Sequence, residues 1–146
     1  MYAVDIQPEM LDMLRQRAKA AGHHNIVTVR GTETDPRLPA ASLDVVLLVD
    51  VYHEFSHPVP MLKAIRRSLK PGGRVAVVEF RAEDPQVPIK PLHKMSKRQI
   101  LREFRANGFE LADQFDGLPW QHLMFFVKRS AAGEAGPGLL LAFLLN

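Results

Sequence analysis

Apolar positions along this chain alternate between two spacings. Tyr2-Ala3-Val4 is a short apolar run that ends on an acid, Asp5. From Glu9 to Ala21, Met10, Leu14 and Ala18 fall on one face with Leu11 and Ala21 at its flanks. This spacing predicts an amphipathic helix. Pro8 suits its first position and Gly22 its stop. Ile26-Val27-Thr28-Val29 reads as a second strand, and 31–42 as a loop holding Pro36 and Pro39. Leu43-Asp44-Val45-Val46-Leu47-Leu48-Val49 is almost continuously apolar, which predicts a strand buried on both faces inside a parallel sheet. Met61 to Leu69 returns to helical spacing, with Met61, Leu62, Ile65 and Leu69 inward. Lys70-Pro71-Gly72-Gly73 should end that helix, because glycine supplies a left-handed cap and proline forbids continuation. Arg74 to Phe80 is the next buried strand.

A proline-rich loop follows through Pro85, Pro88 and Pro91. Ser96, with Gln99 three residues later, spells a capping box for a helix running to Asn107-Gly108. Phe109 to Phe115 and Gln121 to Lys128, joined across Gly117-Leu118-Pro119-Trp120, predict an antiparallel hairpin, with Trp120 packing it. The alternation of strand and helix predicts one α/β domain over 1–129, a mostly parallel sheet closed by that hairpin. From Ser130 the composition shifts to Ala, Gly and Glu and ends in a leucine-rich tip. The expectation for 130–146 is a poorly ordered tail that docks at most a final helical turn.

Composition narrows the picture. The chain has 146 residues, 47% hydrophobic and 24% charged, ordinary for a globular domain. Its formal net charge of +3 comes from scattered basic residues without interleaved aromatics, so no nucleic-acid face is expected. There are no cysteines, which excludes disulfides and thiolate metal sites. Leu139 to Leu145 is apolar but too short to span a bilayer. With no membrane segment and no signal peptide, the expectation is a cytoplasmic protein.

Candidate chemistry gathers where strands end. A carboxylate at the end of a strand and the start of a helix is the usual partner of ribose hydroxyls in doubly wound domains, which makes Asp5 the first candidate. Its alternative is a helix-dipole or turn role. Ile6 either packs on an adenine face or is plain core. Asp50-Val51-Tyr52-His53 leaves the third strand-like run at its carboxyl end, where open α/β sheets bind ligands. Asp50, Val51 and Tyr52 are candidates to wall a cofactor, and His53 to act as a base. Glu79 ends a strand beside the same crevice, placed to bind substrate or to cap a loop. Lys90 and His93 lie on the long proline-rich loop, a candidate acceptor-binding lid. His53-Glu54-Phe55-Ser56-His57 also spells H-E-x-x-H, the zinc-hydrolase spacing. Pro58 and Pro60 follow at once and deny it the helix it needs.

Three segments together resemble the class I S-adenosylmethionine-dependent methyltransferases. They are Tyr2-Ala3-Val4-Asp5-Ile6 with Pro8-Glu9-Met10-Leu11, then Asp44 to His53, then Leu69-Lys70-Pro71-Gly72-Gly73-Arg74-Val75. The resemblance implies a Rossmann-like sheet with its last strand antiparallel. It implies S-adenosylmethionine as cofactor and a small-molecule methyl acceptor. It places Thr32 or Glu33, after Gly31, near the adenine edge. It also implies a departure. The family's first strand, central in its sheet, and the Gly-x-Gly-x-Gly loop after it have no counterpart ahead of Asp5. Either the flanking strands close up, or another chain or a second copy supplies the missing piece, or the sequence is part of a longer protein. A non-catalytic or partner-completed methyltransferase-like fragment is the alternative to an enzyme.

Overall fold

The computed structural model describes residues 1–129 and 141–144. The chain runs β1 (Tyr2–Asp5), α1 (Pro8–Ala20), β2 (Val27–Arg30), β3 (Leu43–Val49), α2 (Pro58–Ser68) and β4 (Leu69–Arg81). It continues through β5 (Lys94–Met95), α3 (Lys97–Ala106), β6 (Phe109–Phe115), β7 (Gln121–Lys128) and β8 (Leu141–Leu144). Short 3₁₀ turns at Tyr52–Glu54 and Pro91–His93 sit beside the carboxyl ends of β3 and β4. Among the described residues no helix is long and apolar enough to cross a membrane.

The sheet order is β2-β1-β8-β3-β4-β7-β6, with the two-residue β5 also on β4. β1, β2, β8, β3 and β4 are mutually parallel; β7 is antiparallel to β4 and to β6. The expected Rossmann-like α/β sheet with its antiparallel hairpin is present. The central slot is not left open, however. The chain's own residues 141–144 run parallel between β1 and β3, pairing Ala142 with both Tyr2 and Val46. The expectation of a helical turn in the tail is corrected for these four residues; the rest of 130–146 lies outside the described residues. The physical reason is the ladder. Orphaned buried amide and carbonyl groups on β1 and β3 would cost about 1–3 kcal/mol each, and a third parallel strand satisfies both edges.

The core lies mainly on one face of the sheet. There Val46 and Leu48, Val75 and Val77, and Met124 and Phe126 meet Leu62 and Ile65 of α2 and Ile100 and Phe104 of α3. Phe104 stacks on Phe126 with ring centres 4.2 Å apart. The alternate positions of β3 are less covered: Val45 and Leu47 are half-buried and Val49 is 40% exposed. Burial of β3 on both faces is therefore corrected to burial on one.

Local signals account for most element ends. Pro8 opens α1, and Gly22 takes the left-handed conformation (φ 73°) just beyond its end. The Ser96 hydroxyl accepts the Gln99 amide at 3.1 Å, but the Gln99 side chain reaches forward to Glu103, so only half of the capping box forms. α2 ends one residue before the expected Leu69, which already pairs with Leu43. Lys70 to Gly73 then bulge before Arg74 resumes the pairing opposite Val45. A side chain at Gly73 would meet the Leu43 carbonyl at 2.8 Å, so only glycine fits there.

Candidate functional site

The connection from β1 leads outward to β2, and that from β3 leads the other way to β4. Connections diverge at this point, and open α/β sheets form their ligand crevice at the carboxyl ends of the strands there. A cavity of about 270 Å³ lies at this place, near the lower end of small-molecule pockets, roughly 300–1,000 Å³. Val4, Asp5 and Ile6 line it from β1, Gly31, Thr32 and Glu33 from the loop after β2, and Val51, Glu54 and Phe55 from the segment after β3. Gly31 is buried, and a Cβ there would sit 3.0 Å from Val4 Cγ1, so the β2 loop approaches β1 without a side chain between them.

Asp5 is 5% exposed. Its Oδ1 accepts the Gln7 amide at 2.7 Å, the turn into α1. Its Oδ2 is buried and has no partner among the described residues. A buried carboxylate oxygen without a donor is costly, and the adjoining cavity is the place from which a donor can come. Ile6 is 49% exposed on the cavity wall, so it is not plain core.

Thr32 and Glu33 both line the cavity, but they differ in freedom. Thr32 Oγ1 is engaged in its own loop, accepting the Asp35 amide at 3.0 Å. Glu33 is exposed and reaches across the opening toward Ser56 and His57, 3.5 Å and 3.6 Å away.

Beyond Asp50 the chain departs from the expected wall. Asp50 takes a left-handed conformation (φ 48°) at the end of β3. Its Oδ2 accepts the Gln121 side-chain amide at 3.1 Å, away from the cavity, and burial raises its pKa. Tyr52 is buried too. Its hydroxyl donates to Glu103 at 2.8 Å and its ring packs edge-on against Phe55 and Phe104. Burial and the Glu103 charge push the phenol pKa up. Of the three expected wall residues, Val51 alone lines the cavity; Asp50 and Tyr52 are not among its lining residues, being held by Gln121 and Glu103, and Asp50 Oδ1 is buried without a partner among the described residues.

Behind the cavity rim lies a second cluster. Glu79 is fully buried. It accepts the His53 amide at 3.1 Å on Oε1 and meets the His53 ring at Nδ1, 2.7 Å from Oε2. Burial raises the Glu79 pKa, and the hydrogen bonds from His53 oppose that rise. Glu79 therefore holds the turn after β3 by the His53 amide and orients the His53 ring, and it is not among the residues that line the cavity. The other ring nitrogen of His53 lies 3.1 Å from His93 Nδ1 and 3.1 Å from Glu54 Oε1. Sequence reasoning placed His93 on a loop without seeing this contact, which joins residues 40 apart. Lys90, exposed, opens the 3₁₀ turn, its carbonyl accepting the His93 amide at 2.9 Å. The H-E-x-x-H reading is corrected. His53 and Glu54 lie on a 3₁₀ turn, Phe55 leaves it extended, and His57 faces Ser56 and Glu33 instead.

The model of a family described as "Methyltransferase domain" matches residues 1–77, just over half of the chain. The chain belongs to the methyltransferase domain family. An uncharacterized methyltransferase, YdaC of Bacillus subtilis, is 33% identical over 114 residues, covering 77% of this chain; the chain spans 60% of YdaC's length. Two solved structures share the methyltransferase fold. One is a SAM-dependent methyltransferase from Aquifex aeolicus, at 20% identity and a TM-score of 0.79, covering 86% of this chain and 66% of that one. The other is the methyltransferase CalH in complex with SAH, at 22% identity and a TM-score of 0.69, covering 86% of this chain and 41% of that one. At these identities the two structures speak for the fold. What the cavity of this methyltransferase domain binds must be argued from its own residues.

Proposed function

We propose that this chain binds S-adenosylmethionine in the cavity at the ends of β1, β2 and β3 and transfers its methyl group to a small-molecule acceptor. The observation that carries the reading is Asp5: a buried carboxylate oxygen without a donor, beside a cavity at the divergence of the strand connections. The residues fit the group. Two adjacent hydroxyls of a ribose are donors of the kind that oxygen lacks. Gly31 leaves room for close approach, and Ile6 and Val51 offer apolar surface to a purine ring. Glu33, exposed at the opening, is placed to accept from a purine amine. When bound, the cofactor supplies a sulfonium methyl group as the electrophile.

What remains for the protein is placement and exclusion of water. Phe55 and Met61 line the inner side of the cavity and keep it apolar. On the acceptor side, Glu79 holds His53 by its Nδ1 and so sets the direction of Nε2, which lies 3.1 Å from Glu54 at the cavity rim. In the tautomer that leaves Nε2 unprotonated, its lone pair serves the polar atom of the acceptor. Help of this kind matters only where the acceptor carries a proton.

Calorimetry with S-adenosylhomocysteine tests the reading. The native chain should bind it, and Asp5→Asn should bind it about 10–100-fold more weakly, as loss of a charged hydrogen bond worth about 1.5–3 kcal/mol requires. The same substitution should not lower stability, because it removes a buried charge whose second oxygen is unpaired. Absence of binding at millimolar ligand by the folded native chain would refute the proposal.

A further inference from the structure

Three donor atoms converge at the rim of the cavity. His53 Nε2, His93 Nδ1 and Glu54 Oε1 are 3.1, 3.1 and 3.2 Å from one another. We propose that His53, Glu54 and His93 hold a single divalent transition-metal ion there, open on its outer side to the methyl acceptor. The proposal rests on the methyl-transfer reading only for the acceptor's role; the ion site stands on its own geometry.

The spacing suits an ion. Bonds of about 2.0–2.1 Å to nitrogen and oxygen place neighbouring donors about 2.9 Å apart in an octahedron and about 3.3 Å apart in a tetrahedron. The observed triangle falls between the two. Hydrogen bonds account for it less well. All three edges are of hydrogen-bond length, and in the tautomer whose Nδ1 donates to Glu79, Nε2 offers only a lone pair. The edge between that lone pair and the Glu54 carboxylate then has no proton. A cation inside the triangle satisfies all three atoms at once.

The surroundings are built in the same sense. The His53 side chain is 5% exposed, and the buried carboxylate behind it fixes its ring orientation, as a carboxylate behind a metal-bound histidine does. Glu54 and His93 are 41% and 48% exposed. The protein thus covers one side of the triangle and leaves the other open, as in sites that bind a further ligand. Two imidazoles and one carboxylate favour zinc, cobalt or iron(II) over magnesium or calcium, which take oxygen donors. Glu54 belongs to both the triangle and the cavity wall. An acceptor hydroxyl, thiol or amine bound to the ion would therefore face the cofactor cavity, and the ion would lower its pKa, taking the place of direct proton transfer to His53.

Titration of the untagged, metal-stripped chain with Co²⁺ tests the site. The proposal predicts one equivalent bound, with a visible d–d absorption that Zn²⁺ abolishes and Mg²⁺ does not. His93→Ala should weaken cobalt binding on the order of 100-fold or more, the upper end of losses seen when even an outer partner is removed. Glu54→Gln should weaken it as well, with far-ultraviolet circular dichroism unchanged in both variants. No saturable absorption in the native chain, or equal binding by His93→Ala, would overturn the site and show the triangle to be a hydrogen-bonded cluster. Binding of S-adenosylhomocysteine, measured separately, tells failure of this site from failure of the methyl-transfer reading.

Discussion

Asp5 shows how one side chain divides its work. One oxygen closes the turn into α1 and the other is buried beside the cavity without a partner among the described residues. That residue was legible in the sequence because strand, acid and proline-led helix fall together over 2–8. Ile6 and Val51 were legible for the same reason, as neighbours of strand ends. Asp50 and Tyr52 were not. A strand's alternation predicts side-chain direction only while the backbone stays extended, and the left-handed Asp50 breaks the alternation and sends Tyr52 toward α3. The His53–His93 contact was hidden too, since no local pattern reports which loops meet.

His122 supplies the pH prediction at this scale. Its ring is buried on β7, with Nε2 2.9 Å from Glu83 and Nδ1 without a partner among the described residues. Burial outweighs the Glu83 attraction and lowers its pKa from 6.5. The unfolded chain therefore takes up a proton before the folded chain does. Stability present above pH 6.5 should be lost as pH falls through the lower folded value. Urea midpoints measured from about pH 7.5 to about pH 5 should fall more for the native chain than for His122→Gln. Parallel pH dependence in the two would contradict the assignment.

At the level of elements, propensity and capping placed the helices to within a few residues, and the β6–β7 hairpin fell where alternation put it. The central strand was the miss. The apolar run from Leu139 to Leu145 was visible, but a short apolar run reads equally as strand or helix. Its partners, β1 and β3, lie far away in sequence, Ala142 pairing with Tyr2 and Val46. A proline at Ala142 tests its place. The residue is paired on both sides, and proline is confined to edge strands and bulges because it cannot donate to a ladder. Ala142→Pro should lower unfolding free energy by at least about 1–3 kcal/mol, the cost of one orphaned buried carbonyl. An unchanged urea midpoint would show that β8 adds nothing to the sheet.

For the whole molecule, topology does the positioning. The strand connections diverge between β1 and β3, and the loops that follow β1, β2 and β3 converge on one cavity. The loop carrying His93 adds a second rim through β5 on β4. The sheet's second face is thinly covered among the described residues, and the chain spans only part of the length of its relatives. The cavity does not depend on that face, since its walls come from strand ends, loops and Met61 of α2.

The central claim is that the free oxygen of Asp5 takes ribose hydroxyls. The most direct measurement is a double-mutant cycle of affinities, with S-adenosylhomocysteine and its 2′,3′-dideoxy analogue each bound to the native chain and to Asp5→Asn. The account predicts that removing the hydroxyls costs the native chain at least about tenfold, or about 1.4 kcal/mol, and costs the variant much less. An equal loss in both proteins would mean that the carboxylate and the sugar do not meet, and the account would fail.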